Sequence, residues 1–314
     1  MEPIVNLAKT IKLFLIDGDP NGRISCELSN WSGKAYRIPR SEVKNCTDRG
    51  DLDGTCVYFL FAKADSAHTK PKVYIGEAEN ALSRLKSHVA EKEFWSEAVV
   101  FISKNDNLNK AHIKHLESKF YQSAIKAERY DVLNINTPTE SSISESDRAE
   151  MGEFGSNIKL LLGALGFRVL EPLVERVINN SPDSPDSPDS PDSPDSPDSP
   201  EHQVFYLSGV NQVSARGHQS TEGFVVYKDS IARVDTVASL SKGYSKLRDD
   251  LIEDGVLEIK ANGLVFNDNY LFSSPSAASA ASAASDVLLG RLTSGLIEWK
   301  TQTGVTLKDY QLTV

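Results

Sequence analysis

Five side chains stand in an order that could do acid–base and phosphate chemistry. They are Tyr58 in CVYFL, Tyr74 in VYIG, Arg84 and His88 in ENALSRLKSH, and Glu117 in KHLESKF. A guanidinium fork suits phosphate or carboxylate, an imidazole titrates near neutrality, and a carboxylate can hold a hard cation. Arg84 and His88 are four apart, so a helix carries both on one face. With Leu82, Leu85 and Val89 forming the apolar face, theirs is expected to be open to solvent or substrate. Glu117 follows Leu116, at the edge of the stripe Ile113, Leu116, Phe120 and Ala124, where a carboxylate is placed to hold a cation beside a sheet. Gly76 ends the VYIG string and is expected to let the backbone leave the strand where a side chain would crowd a ligand. Lys114, with Lys104, Lys110, Lys119 and Lys126, could line a basic groove.

Singly, each residue has a plainer reading. Strand tyrosines are commonly half-buried packing residues, Arg84 and Glu117 would be solvated, and His88 could cap a helix end. The order of the set is what favours chemistry. His112 and His115 stand three apart near Glu117, but no second ligand cluster completes a zinc site. Trp95 reads as a core anchor.

These residues need elements to position them. TCVYFLFA, KVYIGEA and EAVVFIS read as strands. ENALSRLKSHVA reads as a helix, and NLNKAHIKHLESKFYQSAIKAE as a longer one capped at residues 105–107. DVLNINTP is a short extended exit, and residues 145–165 suggest a further helix. Upstream, TIKLFLI, ISCELSN and AYRIP read as a small antiparallel unit. Beyond residue 200, helix and strand signals mix, ending in the small-residue helix SPSAASAASAASDVLLG and a strand at LIEWK; a helix followed by a strand pair is a weak winged-helix cue. The fold class is therefore α+β. The expected parts are an N-terminal β unit at 1–50, a core at 51–140, a helical extension at 141–180, a linker at 181–200 and an α+β domain at 201–314.

The linker is SPDSPDSPDSPDSPDSPDSP. Proline at every third residue forbids helix and interior strand, and the period suits a polyproline II rod of roughly 60 Å when fully extended. The net charge of −10 looks unfavourable for a nucleic-acid enzyme, yet residues 141–200 alone carry 12 acidic against 4 basic residues. A hydrophobic content of 39% and a charged content of 25% are those of a soluble globular chain. The longest apolar candidate, KLLLGALGF at 159–167, is too short to span a bilayer, and the N-terminus lacks the basic start and cleavage site of a signal peptide. Cys26, Cys46 and Cys56 make neither a disulfide framework nor a zinc site. A cytoplasmic setting is expected.

The tyrosine motifs, followed in order by Arg84, Glu117 and Asn134, resemble the GIY-YIG nuclease superfamily. The strings VYIGEAENALSRLKSH and LNINTP, with SPSAA and EWK downstream, resemble a bacterial branch that carries an N-terminal strand unit and a C-terminal domain of unknown function. The first motif departs from the pattern, with Cys56 and Val57 before the tyrosine, and Glu77 follows Gly76. The resemblance implies a small three-stranded antiparallel sheet flanked by helices. It implies an endonuclease that uses Mg2+, with Mn2+ as the other candidate, to cut DNA, RNA remaining open. Glu117 would ligate the metal, Arg84 would hold a phosphate oxygen, Tyr58 and Tyr74 would position and deprotonate the water, and His88 would serve as base or hydrogen-bond donor. Asn134, Gly76 and Lys114 would contact substrate. The C-terminal domain would select substrate or a protein partner. The alternative is a binding or interaction protein built on the same fold with an idle centre.

Overall fold

The chain divides into two compact units, Met1–Pro172 and Leu173–Val314. The computed structural model describes residues 8–174, 202–261, 263–274 and 276–313. The Ser-Pro-Asp repeat read as a polyproline rod lies outside the described residues.

The first unit runs β1 (Ile11–Leu15), β2 (Ile24–Leu28), β3 (Gly33–Pro39), β4 (Cys56–Ala62), β5 (Lys72–Ala78), α1 (Ala81–Glu91), β6 (Glu97–Ser103), α2 (Lys110–Ala127), β7 (Asp131–Val132) and α3 (Glu145–Ala164), with 3-10 turns at Arg40–Asp48 and Gly50–Asp53. Its strands form one seven-stranded sheet in the order β1-β2-β3-β6-β4-β5-β7. The three strands expected to make a small sheet of their own are the centre of this larger one. The N-terminal strands expected as a separate unit extend it, because β3 pairs with β6 along its length, from Gly33 opposite Ser103 to Pro39 opposite Glu97.

Strand alternation sends successive side chains to opposite faces. Val57, Phe59 and Phe61 of β4 pack with Ile113, Leu116 and Phe120 of α2 and with Ile158 and Leu161 of α3. Cys56, Tyr58 and Leu60 pack on the other face with Leu82 and Leu85 of α1 and with Val43 and Leu52. Each helix begins on a side-chain cap. Asn80 accepts from Ser83 N at α1, and Ser144 accepts from Asp147 N at α3. At α2 the cap is Asn109, which accepts from Ala111 N and His112 N, rather than a residue of 105–107. Val89, expected on the apolar face of α1, is 36% exposed.

The second unit runs β8 (Phe205–Ser208), β9 (Ser214–Ser220), β10 (Gly223–Val226), β11 (Ile231–Ala232), α4 (Lys242–Glu253), β12 (Leu257–Lys260), β13 (Gly263–Phe266), β14 (Tyr270–Ser273), α5 (Ala277–Leu289), α6 (Gly295–Glu298) and α7 (Leu307–Gln311). The strands form a second sheet in the order β12-β13-β11-β9-β10-β14, with β8 also pairing to β9. The small-residue helix α5 is buried because alanine and serine let it lie close against Phe224, Phe266 and Trp299. LIEWK is not the expected strand. Its first three residues fall in the short helix α6, and Lys300 alone makes isolated bridges, to Tyr206 and Thr306. The helix and strand pair of the winged-helix cue are α4, β12 and β13, absorbed into this sheet. The molecule is therefore α+β throughout, and no helix among the described residues is long and apolar enough to cross a membrane.

Candidate active site

The site begins at Tyr58, which stands directly opposite Gly76 across β4 and β5. The tyrosine ring lies over the glycine, and a Cβ at residue 76 would fall 2.3 Å from the Tyr58 hydroxyl oxygen. The glycine thus makes room for Tyr58. β5 does not leave the sheet there, as the sequence suggested, but continues to Ala78.

The Tyr58 hydroxyl is 2.7 Å from His88 Nε2 and accepts from Arg84 Nε at 3.3 Å. Arg84 thus donates to the Tyr58 oxygen, while the direction of the hydrogen bond between that hydroxyl and His88 Nε2 is set by the imidazole tautomer. Nδ1 has no hydrogen-bond partner. The rings of Tyr58 and Tyr74 lie 5.4 and 5.5 Å from that of His88, and Lys92 sits 4.4 Å over Tyr74. The face expected to be open is therefore split. Arg84 is exposed, whereas His88 is fully buried among aromatic rings. Burial, with the charges of Arg84 and Lys92, lowers the His88 pKa to about 4. Burial raises that of Tyr58 well above the ordinary phenol range, against the opposing pull of Arg84. At neutral pH both groups stay uncharged, and an imidazole with so low a pKa is a weak base. The hydrogen bond to Tyr58 also strengthens the hold of Arg84 on its proton.

Glu117 arrives from the other side of the sheet. Glu77 shares the strand parity of Val73 and Ile75, which face α2, and Lys110 at the start of α2 meets it at 2.8 Å. Glu117, half-buried on α2, has its pKa raised to about 7, first by burial and then by the charge of Glu77, against Lys110, Lys114 and Arg84. Glu77 went unassigned in the sequence; its parity with Ile75 is the signal that could have placed it. β7 pairs with β5 only at Lys72 and Val73. Asn134 then takes the place of a strand, donating Nδ2 to the Ile75 carbonyl at 2.8 Å and accepting Ile75 N at 3.0 Å. Both ends of its amide hydrogen-bond to β5. The paired edge of β5 stops at Ile75, and Arg84 and Glu117 approach the strand beyond it from opposite faces of the sheet.

The lysines expected to line a groove are mostly engaged. Lys104 pairs with Glu27, Lys110 with Glu77 and Lys119 with Glu140, whereas Lys114 is exposed near Glu117. His115 faces Glu140 at 3.3 Å and His112 faces Asp147 at 3.8 Å. No group of three or more His, Cys, Asp or Glu side chains among the described residues is arranged around a metal position. Mg2+ does not require one, because it is commonly held by one or two carboxylates with water and phosphate oxygens. A half-buried carboxylate beside a second one fits that chemistry.

Comparison with known proteins bears on the second unit. Residues 205–311 match the model of a domain of unknown function, DUF4357. No curated protein and no solved structure matches the chain. The DUF4357 stretch covers β8 through α7 and fits the expectation of a C-terminal domain of unknown function. Every candidate residue from Tyr58 to Asn134 lies outside it.

Proposed function

We propose that the first unit is a Mg2+-dependent endonuclease of the GIY-YIG kind that hydrolyses DNA phosphodiester bonds, while the DUF4357 unit selects substrate or partner. One observation supports this reading best. An exposed arginine, fixed from behind by a buried tyrosine–histidine pair, and a carboxylate ready to lose a proton near neutrality flank the same strand end.

Phosphodiester hydrolysis needs a positioned water, charge stabilisation on the phosphate and help for the leaving oxygen. Arg84 would hold a non-bridging oxygen through its guanidinium fork. Tyr58 and His88 would act through Arg84 as positioning residues. Tyr74, half-buried beside them, would orient the water. Glu117, with Glu77 adjacent, would hold Mg2+ or Mn2+, which when bound supplies charge stabilisation at the phosphate and the leaving oxygen. Lys114 would meet a flanking phosphate. Gly76 and Asn134 shape β5.

A second reading is nucleic-acid binding without cleavage, favoured by the burial of Tyr58 and His88 and by the Lys110–Glu77 ion pair. Incubation of the purified chain with plasmid and branched DNA in Mg2+ separates the two. Cleavage lost in Arg84→Ala supports the nuclease. Binding that weakens steeply with salt, with no cleavage, supports the second reading.

A further inference from the structure

The DUF4357 unit carries a row of side chains in which Tyr206, Arg216 and Lys300 are exposed. On β8, Phe205 and Leu207 point into the core, so Tyr206 between them points out; on β9, Ala215 and Gly217 point in and Arg216 points out. Tyr206 and Arg216 are directly opposite each other. On the far side of Arg216 lies Tyr227, whose N donates to the Arg216 carbonyl at 2.9 Å. On the far side of Tyr206 lies Lys300, which exchanges both backbone hydrogen bonds with it. Residues opposite one another in an antiparallel ladder project from the same face. The face therefore reads Lys300, Tyr206, Arg216, Tyr227 in one line: cation, ring, planar cation, ring.

The chemistry of this row has a direction. Tyr206 is 40% exposed, a large area for an aromatic ring, and Arg216 and Lys300 are exposed with no acidic partner among the described residues. These unpaired cations occur in a chain whose net charge is −10. The neighbouring rung already holds a flat ring. His202 stacks on His218 with centroids 4.9 Å apart and planes at 24°, and His218 lies 5.6 Å from Tyr227. The Tyr227 hydroxyl and His218 Nδ1 are shielded and have no hydrogen-bond partner. An exposed ring for stacking, an arginine plane beside it and cations for the backbone are what unpaired nucleotides require.

We infer that the outer face of β8 and β9 at Tyr206 and Arg216, with Lys300 alongside, is a platform on which the unpaired bases of single-stranded DNA stack, with Arg216 and Lys300 on the phosphates. The choice of DNA rests on the nuclease reading; the platform itself does not. It would give the first unit a preference for substrates with a single-stranded portion.

The test is fluorescence anisotropy of the full chain with a labelled oligothymidylate of about 16 nucleotides, in EDTA so that nothing is cut. The same sequence as duplex and as oligouridylate serves for comparison. The expected result is preferential binding of the single-stranded DNA, weakened about tenfold by Tyr206→Ala and preserved in Tyr206→Phe. Arg216→Gln should weaken it and reduce the slope of log affinity against log salt by about one. Unfolding curves of Tyr206→Ala should match the parent, since this ring is on the surface. Equal affinity for duplex, stronger affinity for RNA, or single-strand binding indifferent to both Tyr206→Ala and Arg216→Gln would overturn the inference. Single-strand binding that depends on Tyr206 without any plasmid cleavage would defeat the nuclease reading alone, and cleavage without such binding would defeat the platform alone.

Discussion

The Tyr58 ring occupies the space that a side chain at residue 76 would need. The two residues are partners across β4 and β5, and a Cβ on Gly76 would come within 2.3 Å of the phenolic oxygen. Gly76→Ala should therefore displace the hydroxyl that orients Arg84. The expected cost is about 1–3 kcal/mol of overpacking, measured by urea unfolding. In a double-mutant cycle with Tyr58→Phe, which removes the nearest atom, part of that cost should return. Additivity of the two changes would contradict the contact.

Glu117 sets a pH dependence. Its folded pKa of about 7 lies above the ordinary 4.5, so the folded state holds a proton that the unfolded state has released. The stability it contributes is complete below about pH 4.5 and declines as pH rises through 7. Because the side chain is only half-buried, solvent screening should limit the effect to about 1 kcal/mol. Glu117→Gln should remove this decline, as seen in unfolding free energies taken across that range. Mg2+ should raise the melting temperature of the parent more at about pH 8 than at about pH 5, because the cation needs the carboxylate ionised.

His88 acts in the opposite sense. Its folded pKa of about 4 lies below the ordinary 6.5. The stability it contributes is present above pH 6.5 and is lost as pH falls towards 4. His88→Leu should flatten that acid limb. It should also lower stability at neutral pH by about 1–3 kcal/mol, because the buried Tyr58 hydroxyl loses its hydrogen-bond partner. An unchanged acid limb in the variant would show that His88 is not held neutral.

Asn134 should behave as part of the sheet. Asn134→Ala removes two hydrogen bonds to Ile75, and a loss of about 1–2 kcal/mol is expected. Amide exchange at Ile75 should quicken more than exchange at Phe59 in the middle of β4. A variant as stable as the parent, with reduced DNA binding, would instead assign Asn134 to the substrate.

What could be read in advance follows from local periodicity. Alternation along β4 put Tyr58 opposite the Val57 and Phe59 face, and the 3.6-residue period gave the α2 stripe from Ile113 to Ala124. The same period placed Arg84 and His88 on one face of α1, but those positions differ by about 40° around the axis. The buried arc centred on Leu85 reaches His88 and misses Arg84, a boundary that depends on how far Tyr58 and Tyr74 project. The union of β3 with β6 joins residues 33–39 to 97–103, a non-local pairing that neither segment announces. The proximity of Glu77 to Glu117 depends on α2 packing across β5, which neither segment announces. In the second unit, Tyr206 and Arg216 become a pair only through the β8–β9 register.

The most direct measurement is the initial rate of plasmid nicking in Mg2+ by the parent and by Glu117→Gln, with unfolding curves showing both folded. The nuclease account expects nicking by the parent, abolished by EDTA, and a fall of about 10²–10³-fold or more in the variant. A parent that cuts at the same rate as Glu117→Gln, or that cuts nothing in either Mg2+ or Mn2+, would contradict it.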